Sequence, residues 1–185
     1  DSPFSRDLWG LFELLIDAFH AWAYDYIPDL VRPLDNFVSR DTETFLSQRG
    51  VDGTRYIDKL AGVAGRLLAP ENFERTCERD AVKAPHILLS IVHNCKGRGI
   101  DDSVVAYARL VTSAVPVCLG PRPPRSDEDS SKSGGGGQEP WMPSLASSLI
   151  TVWSSLLWYD AALVLRSAAP SEGFLNAWFH LTSDP

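Results

Sequence analysis

The residues of this chain with the reach to do chemistry are four histidines, three cysteines and one basic, glycine-containing turn. His86 and His93 stand seven positions apart, two helical turns, and so share a helix face. A metal site needs three or four converging N, S or O ligands, and no third ligand falls at a helical step from this pair. His20 and His180 read as ordinary helix histidines. Cys77, Cys95 and Cys118 have no CxxC spacing, and an odd, sparse count does not describe a disulfide framework. Cys95 and Cys118 lie on apolar periods near helix ends, which predicts buried, free thiols. Lys96-Gly97-Arg98-Gly99 has the wrong glycine spacing for a phosphate loop, and no strand precedes it. There is no G-x-S-x-G elbow and no H-E-x-x-H pair. Six tryptophans and eight phenylalanines would suit base stacking, but most sit on apolar stripes without a basic patch, so they read as core. The expectation is a chain with no catalytic, cofactor or metal residues, one that is not an enzyme.

The elements that hold these residues are helices throughout. In 6–24, Leu8, Leu11, Phe12, Leu15, Ile16, Phe19, Trp22 and Ala23 recur at three- and four-residue steps and make a broad apolar stripe. A second helix is expected over 27–39, with Pro28 in its first turn and Pro33 bending it. Residues 41–46 read as a short capped turn. A third long helix spans 54–69. Its Gly62 and Gly65 cost about 1 kcal/mol each and are expected to admit a close neighbour. The fourth spans 78–96 and is expected to kink at Pro85, and the fifth spans 102–118. Between them Gly97 and Gly99 suit the left-handed backbone that ends a helix. Lys96 and Arg98 complement the negative helix end, and Asp101 or Asp102 is expected to cap the next helix. Further helices are expected over 143–157, 160–168 and 171–181. No segment alternates with period two. The first and second, third and fourth, and sixth and seventh segments form helix–turn–helix units of about 40 residues, the HEAT/armadillo size class. This predicts an all-α fold, an α-solenoid of three to four HEAT-like antiparallel helix pairs rather than a closed bundle.

Composition bounds the partners. The 185 residues are 44% hydrophobic and 22% charged, with a net charge of -7. Residues 1–80 hold 15 acids against 9 bases, and 81–185 hold 9 against 8. An acidic first half disfavours nucleic-acid backbone and favours basic protein partners. Residues 141–159 carry no charge and are long enough to span a bilayer. Pro143 and six Ser or Thr residues make the stretch too polar for that, so a buried helix and no membrane contact are expected. Residues 120–140 run from Pro121-Arg122-Pro123-Pro124-Arg125 through an acidic serine stretch to Gly134–Gly137. They read as a disordered linker or insertion, dividing repeats at 1–119 from further helices of the same solenoid at 141–185. Ser126, before Asp127, Glu128 and Asp129, has an acidic context open to phosphorylation, although a solvating linker is the plainer reading. The first residue is Asp1, and the chain is expected to be a piece of something longer.

Several motifs bring a family into view. Leu8-Trp9-Gly10-Leu11-Phe12-Glu13-Leu14 resembles the "MWxLFEL" helix of importin-β superfamily nuclear transport receptors (karyopherins), and more narrowly of the importin 7/8 class and its fungal counterparts. Pro33-Leu34-Asp35-Asn36-Phe37-Val38-Ser39 is similar to that class's "P-x-LDNFVS" helix, and Asp41-Thr42 to Phe45-Leu46-Ser47 is similar to the "DTxxxLS" that follows it. Cys95-Lys96-Gly97-Arg98-Gly99-Ile100-Asp101 resembles its "CKGRGID" turn, and Phe174-Leu175-Asn176-Ala177-Trp178 its "F-xx-W" helix. The chain departs from the pattern in the 120–140 stretch, at Leu8-Trp9 for Met-Trp, and at Trp158-Tyr159 where the class tends to carry paired tyrosines.

The resemblance implies HEAT repeats from the C-terminal half of a receptor that shuttles between cytoplasm and nucleus. It implies protein cargo, with basic proteins such as ribosomal proteins or histones in this class. It also implies FG-nucleoporins and Ran-GTP as partners of the whole receptor, with the Ran site outside this stretch. Cargo would meet acids on or beside second helices: Asp29, Asp35, Asp41, Glu43, Asp101 and Asp102. The alternative is a structural or adaptor segment that sets solenoid curvature without touching cargo.

Overall fold

The computed structural model describes residues 4–73, 77–121 and 140–183, and among these every regular element is helical. A lone antiparallel bridge joins Arg49 and Arg55. The helices are α1 (Arg6–Ala21), α2 (Ile27–Arg40), α3 (Thr42–Ser47), α4 (Tyr56–Leu67), α5 (Glu78–Ala81), α6 (Lys83–Asn94), α7 (Asp101–Leu119), α8 (Pro143–Ala168) and α9 (Glu172–Ser183). The linker expected at 120–140, and Ser126 with it, lies outside the described residues apart from 120, 121 and 140.

Local chemistry sets the helix ends. Ser5 caps α1 by accepting from the Leu8 N–H at 3.3 Å, and Ser171 accepts from Phe174 at 3.2 Å at the start of α9. Pro33 lies inside α2. The expected kink in the fourth segment is a break: α5 stops at Ala81 and α6 starts at Lys83. Pro85 lacks the N–H that would reach Ala81, and its ring crowds that carbonyl. Gly97 and Gly99 take φ of 74° and 73°, the left-handed backbone expected there. The expected aspartate cap of α7 is not made. Ile100, buried, holds the N-cap position without a side-chain bond, and Asp101 and Asp102 fill the first turn. At Gly62 and Gly65 an added Cβ would meet nothing within 4 Å, so neither glycine serves a close helix approach.

Antiparallel pairs stack into an α-solenoid of HEAT-like units. α1 packs with α2, α4 with α6, and α7 with α8. The second helices run on one another, α2 against α6 and α6 against α8, while α1 packs on α4 and α7 on α9. The third pair differs from the expected partnering of the sixth and seventh segments, because α8 pairs back with α7. The Met142 N–H donates to the Cys118 carbonyl at 2.9 Å at one end, and the Tyr159 hydroxyl donates to Asp101 at 2.9 Å at the other. A long stretch between α7 and α8 hid this from helix spacing. The sixth and seventh segments themselves are real: α8 is broken at Asp160 (φ −159°, ψ 97°), whose carboxylate accepts from the Leu163 N–H at 2.9 Å.

One continuous core runs through the pairs. Its first layer is aromatic, with Trp9 stacked on Tyr56 at 5.0 Å between ring centres and Phe12 edge-on to Phe37 at 5.4 Å. Arg66 of α4 donates to the His20 carbonyl at 2.7 Å and lies over Phe19 and Tyr24, clamping the ends of α1 and α4 together. Both α7 and α8 are long and apolar enough to cross a membrane by length and composition. Val104, Ala108, Val111, Leu145, Leu149, Trp153 and Leu156 are instead fully buried in the shared core. Cys95 and Cys118 are buried free thiols as expected, their pKa values pushed up by burial to about 11 and about 12.

Candidate partner-binding surface

The six candidate acids divide by what the helices do with them. Asp29 in the first turn of α2 and Glu43 in the first turn of α3 are exposed. They complement the positive ends of their helices and leave their carboxylates to solvent. Asp102 is also exposed, and its charge acts on Arg55 across the gap to α4.

The other three are engaged within the fold. Asp35, on the face of α2 that meets α6, accepts a hydrogen bond from the Ser90 hydroxyl. Asp101 receives the Tyr159 hydroxyl and so ties α7 to α8. Asp41 is buried, 7% exposed, at the junction of α2 and α3. Its carboxylate accepts from Trp9 Nε1 at 3.1 Å, the Phe4 N–H at 3.1 Å and the Thr44 N–H at 3.4 Å. Burial raises a carboxyl pKa, but here the bonds from Thr44, Trp9 and Phe4 outweigh it and hold Asp41 below its ordinary value.

The second helices do not form an acidic face. On α2, Asp29 and Asp35 are matched by Arg32 and Arg40; α6 carries Lys83, and α8 has no charge before Asp160. The acid surplus lies elsewhere, with Asp7, Glu13 and Asp17 against Arg6 on α1. The α6–α8 face instead offers polar and aromatic groups. His93 Nε2 is 3.3 Å from the Ser155 hydroxyl, and Trp158, 82% exposed, stands beside Lys96 over a hollow of about 210 Å³. Among the described residues no group of three or more His, Cys, Asp or Glu side chains could hold a metal ion.

Two important contacts escaped sequence reasoning. Glu78 on α5 caps α8, accepting from the N–H groups of Ser144 at 2.6 Å and Leu145 at 3.1 Å, because Met142 at the N-cap position has no oxygen to offer. Lys59 of α4, with its side chain 11% exposed, joins Glu13 at 3.3 Å to Asp52 at 3.0 Å. Glu78 is far in sequence from Ser144, and Glu13 from Lys59, and no residue type signals either pairing.

The chain is similar to known proteins over a little more than half its length. It is 32% identical to an importin beta-like SAD2 homolog of Arabidopsis thaliana over 106 residues, 57% of this chain. It is 30% identical to importin-8 of Homo sapiens over 107 residues and 30% identical to a probable importin-7 homolog of Dictyostelium discoideum over 103 residues. These matches cover 58% and 56% of this chain. The aligned region amounts to 9–10% of each of these relatives, so the chain corresponds to a small part of their length. No protein-family description and no solved structure matches it. These likenesses, with the ordered motifs and the stacked helix pairs, support a similarity of this chain to a stretch of HEAT-like repeats in importin-β family proteins.

Proposed function

We propose that the chain is part of a nuclear transport receptor that binds protein cargo on a HEAT-repeat surface and moves it through the nuclear pore, shuttling between cytoplasm and nucleus. The observation that carries this reading is the match to importin-8 and to a probable importin-7 homolog, joined to a two-layered helical stack. Residues 1–119 and 141–185 then belong to one solenoid. Ran-GTP and FG-nucleoporins are partners of the whole receptor. The proposed cargo is a basic protein of the ribosomal-protein or histone kind, attracted by the net charge of -7. Asp29, Glu43 and Asp102 are the contacts best placed for it, because they are exposed and, unlike Asp101, hold no side-chain hydroxyl of another helix.

The test is binding of a purified histone or ribosomal protein to the full receptor, with charge reversals at Asp29, Glu43 and Asp102. Binding should weaken in the variants and at high salt. Unchanged affinity in the triple variant removes these acids from the site. A second reading, a segment that shapes the solenoid without touching cargo, is favoured by the bonds that Asp35, Asp41 and Asp101 make to other elements of the fold and by the balanced charge of the second helices. Hydrogen–deuterium exchange of the full receptor with cargo separates the two. Protection confined to other repeats supports the second.

A further inference from the structure

The first helix of the first pair and the first helix of the second meet at their C-terminal ends through His20 of α1 and Arg66 of α4. One guanidinium nitrogen, Arg66 Nη1, makes both bonds. It donates to the His20 carbonyl at 2.7 Å and lies 3.1 Å from His20 Nδ1. A guanidinium has donors only and stays charged, so Nδ1 must offer it a lone pair. The contact therefore selects the neutral imidazole, with its proton on Nε2. The guanidinium carbon sits 5.6 Å from the Phe19 ring centre and 5.4 Å from that of Tyr24. Among the described residues no carboxylate forms an ion pair with Arg66, so its charge faces the imidazole uncompensated. Asn72 Nδ2 donates to the Arg66 carbonyl at 2.8 Å, which fixes this end of α4.

The remaining groups around His20 do not reverse this. Partial burial is the largest cause that lowers its pKa, and the Arg66 charge is the next. Lys59, also on α4, acts in the same direction. Asp17, three residues back on α1, opposes them by favouring the imidazolium, but the pKa stays below the ordinary value. Tyr24, from the turn before α2, stacks its ring on Phe19 at 5.3 Å beneath the same guanidinium. His20 is exposed, so a proton reaches it from solvent without unfolding.

We propose that His20 is a proton-sensitive latch on the joint between the first two helix pairs, closed when the imidazole is neutral and loosened when it is protonated. Protonation puts a hydrogen on Nδ1 and sets an imidazolium against a guanidinium at hydrogen-bond distance, so the ring must turn away. The bond to the His20 carbonyl and the ring contacts do not depend on that proton. The joint therefore loosens rather than parts. A histidine whose pKa is lowered by folding stabilises the fold fully above its ordinary value near ~6.5, and that contribution is lost as pH falls through the folded-state value. The latch operates whether or not these repeats touch cargo.

The test is an NMR titration of the histidine side chains of this 185-residue chain, with His20 assigned by its absence in His20→Gln, and urea unfolding of the same proteins. The His20 midpoint should lie below ~6.5 and should shift upward in Arg66→Gln, which removes the facing cation. Asp17→Asn should shift it further down. Between pH ~7.5 and ~5.5 the parent should lose stability that His20→Gln keeps, because an amide oxygen accepts from Arg66 at either pH. Circular dichroism checks that each variant is folded, and if Arg66→Gln is not, the parent midpoint and the His20→Gln comparison decide. The proposal is overturned by a His20 midpoint at or above the ordinary value, or by a midpoint that does not move in folded Arg66→Gln. It is also overturned if the parent and His20→Gln lose stability in parallel as pH falls.

Discussion

Asp41 should be worth far more to folding than any of the other candidate acids. In Asp41→Ala the cap of α3 loses its acceptor, which costs about 0.5–2 kcal/mol. Trp9, 4% exposed, keeps its indole N–H with no partner, which costs about 1–3 kcal/mol more. The Phe4 N–H loses its bond as well. The sum is about 3 kcal/mol, or about 6–12 °C of melting temperature for a chain of this size. Asp41→Asn keeps one acceptor oxygen and should lose about 1 kcal/mol, while exposed Asp29→Asn should stay within about 0.5 kcal/mol of the parent. The sign with pH follows from the lowered Asp41 pKa. Its contribution is complete above the ordinary carboxylate value near ~4 and is lost as pH falls below it, through the depressed value of the folded state. Urea denaturation followed by far-UV circular dichroism at pH 7 and at stepped acid pH measures both effects. A loss under about 1 kcal/mol for Asp41→Ala, or an acid limb of the same depth in Asp41→Asn, would refute the reasoning.

Other outcomes follow from single contacts. Glu78→Ala removes the acceptor for the Ser144 and Leu145 N–H groups and should cost about 1–2 kcal/mol in denaturant unfolding, with Glu78→Gln intermediate. Gly62→Ala and Gly65→Ala should each stabilise by about 0.5–1 kcal/mol, since the new methyl groups meet nothing and helix propensity rises; a loss at either position would reveal a packing partner for that face of α4. Leu8, Leu11, Leu14 and Trp22 leave an apolar stripe exposed along α1, with Trp22 74% exposed. Solenoid units depend on neighbours to cover such faces, so this polypeptide alone should self-associate, and Leu14→Glu with Trp22→Glu should shift it towards monomer in sedimentation velocity. A parent that is already monomeric at high concentration would contradict this.

What could be read early was local. The inner part of the α1 stripe (Phe12, Ile16 and Phe19), the capped turn begun by Asp41 and the left-handed Gly97 and Gly99 each depend on residues within about four positions, whereas Leu8, Leu11 and Trp22 of the expected stripe are exposed and Trp9, outside it, is buried. The resemblance in motif order was legible for the same reason, because each motif is a few residues long. The candidate acids were legible only as charges. Nothing near Asp41 in sequence says that Trp9, 32 positions away, will donate to it, and nothing near Asp35 names Ser90.

The sequence by itself therefore determined that this protein is all helix, where most of the helices begin and end, and which side chains are apolar enough to face inward. It did so because helix hydrogen bonds and caps close within one turn, and a stripe repeats every turn. Only the tertiary structure decided that α8 returns to pair with α7, that Glu78 caps a helix 66 residues away, and that Asp35, Asp41 and Asp101 bond to groups on other elements. Those outcomes depend on which buried faces meet, and a contact between distant residues is set by the packing of whole helices rather than by either residue alone.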